Sequence, residues 1–570
     1  LGTMFTIALR RLFIVEEALP YPEGVACREV LVAGEEGGTG ALAIVYALGI
    51  GALYGLMVKG FKITHDKTTT AIEIFKTRIF AGMDLSIALL AVGFIVGIRI
   101  ASYIFLGGII GFVVLVPLVG FLNGWPQSGS LAGGFDSLWY EQIRYVGVGA
   151  MVVGGVYTLW SMRKTIITGL KKSFVQNDLE GEFHLRTEKD LPMKWVTMVC
   201  GILVILTFFF YWYITGSLVL SLAGALFLAL VSFFFAAVAG YIAGVVGSSN
   251  SPVSGMTIAT LLFTVGLVWI VGSYFLGLGQ QDLMYATLLI AAVVASSAAI
   301  AGDVMQDLKT GHMVGATPWR QQIAEIIGVV TGAFVIGPTI SLLHDAFQIT
   351  STACIATNER ITAAEGIDSP NLYECSNALY APQAELIGAI IKGAFVGDMN
   401  LPMVFLGAAL ACVLIRLAMP VMSVAIGIYL PLTLSAPIML GGILSSLAIG
   451  SAYLRVDGTL DRKPSNEAKK AAHDVESRGV LIGAGFIAGE SILGVFVAIL
   501  IVLGIKLEKE FGITKLPPSL SLLFFAWFIG VFMWLATRTL PNGRNLLRDI
   551  AATATHALKK FVRSFIPNSK

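Results

Sequence analysis

Residues 479–505 read GVLIGAGFIAGESILGVFVAILIVLGI. This run is longer than the roughly 20 apolar residues that a helix needs to cross a bilayer's hydrocarbon core. It holds one ionisable residue, Glu490, near its middle and among small residues. Working outward, runs of the same kind recur near 40–58, 82–101, 104–123, 143–162, 195–217, 218–245, 256–278, 283–301, 322–344, 401–418, 420–434, 436–453 and 516–540. The whole chain of 570 residues is 56% hydrophobic and 13% charged, about half the charge of a soluble protein. These features predict an all-α polytopic membrane protein with about 14 to 15 transmembrane helices, forming one membrane domain over residues 1–570.

Two pieces are too short or too polar to cross. They are 22–36 and 382–397, and they carry Glu23, Glu385 and Lys392. Both read as re-entrant segments, which need surrounding protein or a water-filled cavity to satisfy their backbone. Lys and Arg concentrate in 163–194, in 455–478 and in the tail from Arg538. Such loops favour the cytoplasmic side, and counting spans places all three there, with Arg10 and Arg11. The acidic loop 345–381 falls outside. Stretch 59–78 opposes the pattern, being basic yet external by the count. Cys354 and Cys375 share the acidic loop, where an oxidising compartment would let them pair. Cys27, Cys200 and Cys412 read as packing residues beside apolar segments. The opening LGTMFTIALRRLFIVEE has the order of a helix end followed by a basic stop rather than that of a signal peptide, and reads as a continuation of earlier helices.

A repeat is visible. YPEGVACREV at 21–30, a span, and VGIRIASYIFLGGII at 96–110 match APQAELIGAI at 381–390, a span, and IGIYLPLTLSAPIMLGGIL at 426–444. The copies are about 20–123 and about 380–455, and their spans 40–58 and 401–418 run in opposite directions by the count. Inverted repeats with interrupted helices are a transporter arrangement, with substrate near the repeat interface.

Ionisable residues at membrane depth are costly and mark candidate sites. Glu490 is the first, as a carboxylate able to load a coupling proton or to bond a neighbouring helix. Arg99 could bind a substrate carboxyl or pair with Asp84 or Glu490. Tyr429, beside Pro431, could donate a hydrogen bond to substrate or simply pack. Glu325 lies at the apolar start of a span, after a charged stretch 302–328 that reads as a cytoplasmic loop. The polar turn 248–254 holds Ser249 and Asn250, and Pro252 breaks the helix there. The free N–H groups that follow could hold an anion, or the turn could be an ordinary cap. The chain has no Walker loop, HExxH or GxSxG, and six scattered histidines make no metal cluster. An enzyme is therefore not expected, and no cofactor or metal is. The net charge of +2 suggests no nucleic-acid partner, and the oligomeric state is not readable.

Four stretches, YPEGVACREVLVAGEEGG (21–38), GSSNSPVSGMTIATLL (247–262), QDLKTGHMVGATPWRQQIAEIIG (306–328) and YLPLTLSAPIMLGG (429–442), occur in an order and spacing that resemble the oligopeptide-transporter family, in its prokaryotic and yellow-stripe-like branches. The resemblance extends over nearly the whole chain. It departs from the family in lacking helices before LRRLFIVEE and in having only Glu29 where a second acidic residue is common near Arg28. It implies cation-coupled, specifically proton-coupled, import of small peptides or metal chelates through a plasma membrane, with the C-terminus in the cytoplasm. A passive channel is the alternative, disfavoured by a mid-span glutamate and an inverted repeat rather than rings of like residues.

Overall fold

The computed structural model describes the chain apart from residues 36–38, 75–76, 127–130, 162–184, 247, 249–252, 366–371, 374, 376–377, 380, 397–399, 459–463, 506, 508–514, 539, 541–552 and 554–570. The helices are α1 Gly2–Arg10, α2 Pro22–Glu35, α3 Thr39–Gly55, α4 Ile87–Ile109, α5 Val116–Asn123, α6 Leu131–Leu138, α7 Arg144–Ser161, α8 Met193–Thr215, α9 Leu218–Val246, α10 Val253–Val268, α11 Gln280–Met313, α12 Pro318–Phe347, α13 Ser351–Glu365, α14 Pro382–Phe395, α15 Leu401–Arg416, α16 Val421–Tyr429, α17 Leu432–Asp457, α18 Asn466–Val502 and α19 Pro518–Thr537. The chain is an all-α polytopic membrane protein. Among the described residues, ten helices are long and apolar enough to cross a membrane. The apolar window of α12 has none of its residues buried in the protein, and Phe334 and Ile336 there stand exposed. Water would not tolerate such a surface, whereas lipid does.

Among the described residues ten spanning helices stand where the sequence predicts fourteen apolar spans. Spans 82–101 and 104–123 are one helical run, Ile87–Asn123, bent at Gly97. Span 420–434 is cut short because α16 ends at Tyr429 before Pro431. Helix α15 is apolar but short, and the region 143–162 is held by α7, which is absent from the ten. Hydropathy windows measure apolar length and do not register a backbone break. Two further differences concern charged sequence. Stretch 302–328 is not a loop, because α11 runs on to Met313 and α12 starts at Pro318. Strands β1 Lys67–Ile74 and β2 Thr77–Asp84 form an antiparallel hairpin, pairing Lys67 with Asp84.

The chain divides into two compact units. The first comprises Leu1–Glu35, Met151–Gly337 and Gln383–Met399. Phe13, Ile14, Tyr21, Met305 and Leu308 form its buried core. The second comprises Glu36–Ala150, Pro338–Pro382 and Asn400–Lys570. Its core is aromatic, with Tyr54, Phe94, Phe486, Phe528 and Phe532 all buried. There α3 and α18 lie side by side in the same direction, Gly51 against Phe486 and Gly55 against Glu490. A Cβ on Gly51 would come 2.6 Å from the Phe486 carbonyl oxygen. Small residues four apart on both helices, Gly51 and Gly55 on α3 and Gly485 and Gly489 on α18, permit this backbone approach.

Candidate transport and coupling sites

The second unit contains two stretches of one pattern, glycine, three residues, a break, nine residues and a glycine pair: GFIVGIRIASYIFLGG at 93–108 and GIYLPLTLSAPIMLGG at 427–442. In the first the break is Gly97, whose φ of 75° and ψ of 166° interrupt α4. In the second it is Pro431, which has no N–H to continue α16 into α17. The stretches cross antiparallel. Gly93 meets Gly441, and Gly107 meets Gly427, so closely that a methyl group on any of the four would overlap a carbonyl of the opposing helix. The two interrupted stretches are thus held against each other by glycines at matching offsets, with the Gly97 break beside Gly442 of α17.

Arg99 lies two residues past the first break. It is exposed, and nothing lies within 4 Å of the point where a Cβ on Gly97 would stand. Of the pairings open to Arg99 from sequence, neither Asp84 nor Glu490 is formed. Tyr429 is buried against Gly147 at the second break. Trp139 Nε1 donates to the Ile428 carbonyl at 3.3 Å there. The Arg144 guanidinium stacks 3.6 Å from the Tyr140 ring centroid and feels the Tyr429 hydroxyl. Arg144 was not singled out from sequence, because it opens an apolar run and reads as a flank. The WYEQIRY cluster of aromatics about a cation is the signal that points to it.

Glu490 is 5% exposed. Its Oε1 is 3.1 Å from Lys59 Nζ. Ser86 Oγ donates to Oε1 at 3.2 Å, and the Ala88 N–H to Oε2 at 3.0 Å. The glycine contact at Gly55 sets this geometry, because Lys59 lies one turn beyond it on the same strip. Ser86 caps α4, accepting from the Leu89 N–H. Glu490 therefore supplies the anion at the positive end of α4. Tyr54, stacked on Phe524 and edge-on to Phe528, donates its hydroxyl to the Leu85 carbonyl beside it. Asp84, at the end of β2, completes the cluster. Burial pushes its carboxyl up to about 7, with Asp66 and Glu490 adding and Lys59 and Lys67 opposing. Among the described cations of the basic stretch 59–78, Lys59 pairs with Glu490, and Arg78 with Glu73, its guanidinium also lying over the Trp125 ring.

In the same unit Cys354 and Cys375 are bonded, with Cα atoms 5.5 Å apart. Asn358 fastens the neighbouring chain by exchanging two hydrogen bonds with the Tyr373 backbone. Cys27 and Cys412 are exposed rather than packed.

In the first unit, three of the four sequence motifs meet. Tyr21 donates through its hydroxyl to the Gly240 carbonyl and through its N–H to that of Gly244. Glu23 accepts from the Ser248 N–H at 2.8 Å, and the Ser248 hydroxyl donates to Asp303 at 2.6 Å. Buried Gln306 uses both ends of its amide, accepting from the Gly24 N–H at 2.7 Å and donating to the Ala243 carbonyl at 3.0 Å. Helix α2, with 14 residues, is too short to cross and is clamped here to α9 and α11. Ser249, Asn250 and Pro252 lie outside the described residues. Glu385 is half-buried and Lys392 exposed on α14, also of 14 residues. Glu325 is half-buried on α12. Among the described residues no three His, Cys, Asp or Glu side chains stand together as a metal site.

The family model described as OPT oligopeptide transporter protein matches residues 1–501. A Haemophilus influenzae protein named "Putative oligopeptide transporter" is 31% identical over 551 residues, covering 92% of this chain and 82% of its own length. The metal-nicotianamine transporter YSL1 of Arabidopsis thaliana is 22% identical over 533 residues, 89% of this chain and 72% of its own. The iron-phytosiderophore transporter YSL15 of Oryza sativa subsp. japonica is 28% identical over 133 residues, 22% of this chain and 20% of its own. No solved structure matches the chain.

Proposed function

The chain belongs to the OPT oligopeptide transporter family, a family of transporters rather than enzymes, and from that premise we propose that it is a secondary active, proton-coupled transporter of small peptides or metal chelates. The observation that carries the coupling is the Lys59–Glu490 ion pair, 3.1 Å long and saturated with donors at the start of α4. A proton on Glu490 cancels its attraction for Lys59 and weakens its hold on the α4 N-terminus. The same helix reaches the Gly97 break, so loading Glu490 loosens one end of an element whose other end lies against α16 and α17. The crossed stretches 93–108 and 427–442 support reading copies 20–123 and 380–455 as inverted repeats, with the solute path at their breaks. Arg99, exposed beside Gly97, supplies a fork for a substrate carboxylate, and Tyr429 with Arg144 lines the second break. Peptides and nicotianamine-type chelates both offer carboxylates and amines, and the likeness to YSL1 supports keeping the chelates.

The orientation we adopt puts the C-terminus in the cytoplasm of a plasma-membrane protein, with the Cys354–Cys375 loop outside. Leu516 N–H donates to the Ile63 carbonyl at 2.7 Å, which supports placing stretch 59–78 on the same side as the α18–α19 connection, as that orientation requires. Uptake of a radiolabelled tripeptide and of iron–nicotianamine into proteoliposomes, with and without an imposed inward proton gradient, tests the function. Gradient-driven accumulation of either solute is expected. Equilibration of both that ignores the gradient would make the protein a passive pore.

A further inference from the structure

The first unit holds a second set of charged groups. Arg10, on α1, is 1% exposed. Its Nη1 donates to both oxygens of Asp190, at 2.9 and 3.1 Å. Gln322 Nε2 donates to Asp190 at 2.6 Å, and Gln322 Oε1 accepts from the Leu191 N–H. This accounts for one nitrogen of the guanidinium. Nε and Nη2, the edge that grips a carboxylate side-on, are buried and meet no acceptor among the described residues. Opposite in character is Glu325 on α12. Both of its oxygens are buried, and no N–H or O–H donor among the described residues reaches either one. Its neighbour is the carboxyl of Asp307 on α11, in side-chain hydrogen-bonding position. The Arg10 charge also acts on it.

Two ionised carboxyls have only acceptors to offer each other, and their charges repel. A hydrogen bond between them exists only when one carries a proton. An open guanidinium edge and a donorless carboxyl within reach of its field are each costly when buried. Turning the glutamate from Asp307 to Arg10 would satisfy both, at the cost of the shared proton. We propose that Asp307 and Glu325 form a proton-binding site in which Glu325 bonds to Asp307 while the pair holds a proton, and turns to the Nε–Nη2 edge of Arg10 when that proton leaves. The proton passes to water through Asp307, which is exposed. Other titratable groups surround the site, among them the Cys27 thiol of α2, within reach of the Asp307 charge. Lys309 and His312 lie on α11 with Asp307, Glu188 and Asp190 lie before α8, and Arg11 follows Arg10. Gln321, four residues before Glu325, donates to Asp307 Oδ2 at 3.0 Å and holds that carboxyl in place. Because α11 also carries Gln306 and Thr310, which bond the Gly24 backbone of α2, the switch acts on the helix that holds the re-entrant segment.

As a proton site of the transport cycle this rests on the transporter reading, and its test is chosen to be independent of solute. Infrared difference spectra of the reconstituted protein, recorded on crossing neutral pH, report protonated carboxyls directly. The wild type should lose a protonated-carboxyl absorption as pH rises. Glu325→Gln and Asp307→Asn should each remove that absorption, and Arg10→Gln should retain it while shifting its titration. Persistence of the same absorption in both carboxyl variants would overturn the proposal. If only one variant inserts, that variant alone decides, since either carboxyl is indispensable to the pair. Proton-gradient-driven uptake by Glu325→Gln is measured in parallel. A wild type that never accumulates solute counts against the transporter reading and leaves the spectroscopic result standing.

Discussion

Replacing Lys59 by methionine keeps its length and removes its charge. Lys59 is 41% exposed and Glu490 6% at the side chain, so the two partners lose unequally. The lysine end gives up a screened interaction, and exposed pairs are worth roughly 0–1 kcal/mol. The carboxylate end is buried, where removing a partner costs about 3–5 kcal/mol if nothing replaces it. Glu490 keeps Ser86 Oγ and the Ala88 N–H, and we expect Lys59→Met to cost about 2 kcal/mol. Glu490→Gln retains an oxygen for the same donors and should cost about 1 kcal/mol. The double variant strands no charge, so it should fall short of the sum of the singles by about 1 kcal/mol or more. Thermal unfolding in detergent, compared across the four proteins at fixed pH, reads this coupling. Additivity within about 0.5 kcal/mol would mean that the pair is incidental and that Glu490 serves α4 alone.

Three further outcomes are expected. Because the Asp84 carboxyl sits at about 7 in the folded protein against 3.8, its contribution is present at low pH and is lost as pH rises from about 4 to about 7; Asp84→Asn should flatten thermal stability over that window, and an unchanged slope would refute the assignment. Gly441→Ala puts a methyl group into the Leu90 carbonyl and should cost about 1–3 kcal/mol, whereas Gly530→Ala, with open space around it, should stay within about 0.5 kcal/mol in the same unfolding assay. Opening the Cys354–Cys375 loop, with its sequence separation of 21, should cost about 3 kcal/mol, and a membrane-impermeant maleimide added to intact cells should label these cysteines only after reduction; labelling without reduction would contradict the bond, and no labelling after reduction would contradict the external side.

The membrane character was legible because a stretch such as 479–505 has no soluble alternative, and Glu490 stood out as a lone charge within it. Its partner was not legible. Lys59 reads as one of several basic residues in a loop, and Ser86 is 404 residues away in sequence; only the α3–α18 glycine contact brings them together. The hairpin had a local signal, a Thr- and Ile-rich alternation from Thr68 to Ile74, overridden by the charges that flank it. Charge also hid the end of α11: Asp303 and Asp307 read as loop residues, yet they share a helix face four residues apart and are used by Ser248 and Gln321. The breaks at Gly97 and Pro431 were visible as residue types. The crossing of the two stretches that carry them was not, since a hydropathy window has no term for two backbones meeting.

The most direct measurement is proton influx and solute uptake recorded together in proteoliposomes bearing wild type or Glu490→Gln, with solute exchange at equal pH as the control. The account predicts that the wild type moves protons with solute and accumulates it. It predicts that the variant still exchanges solute but neither accumulates it nor carries protons. Gradient-driven accumulation by Glu490→Gln at the wild-type level would contradict it.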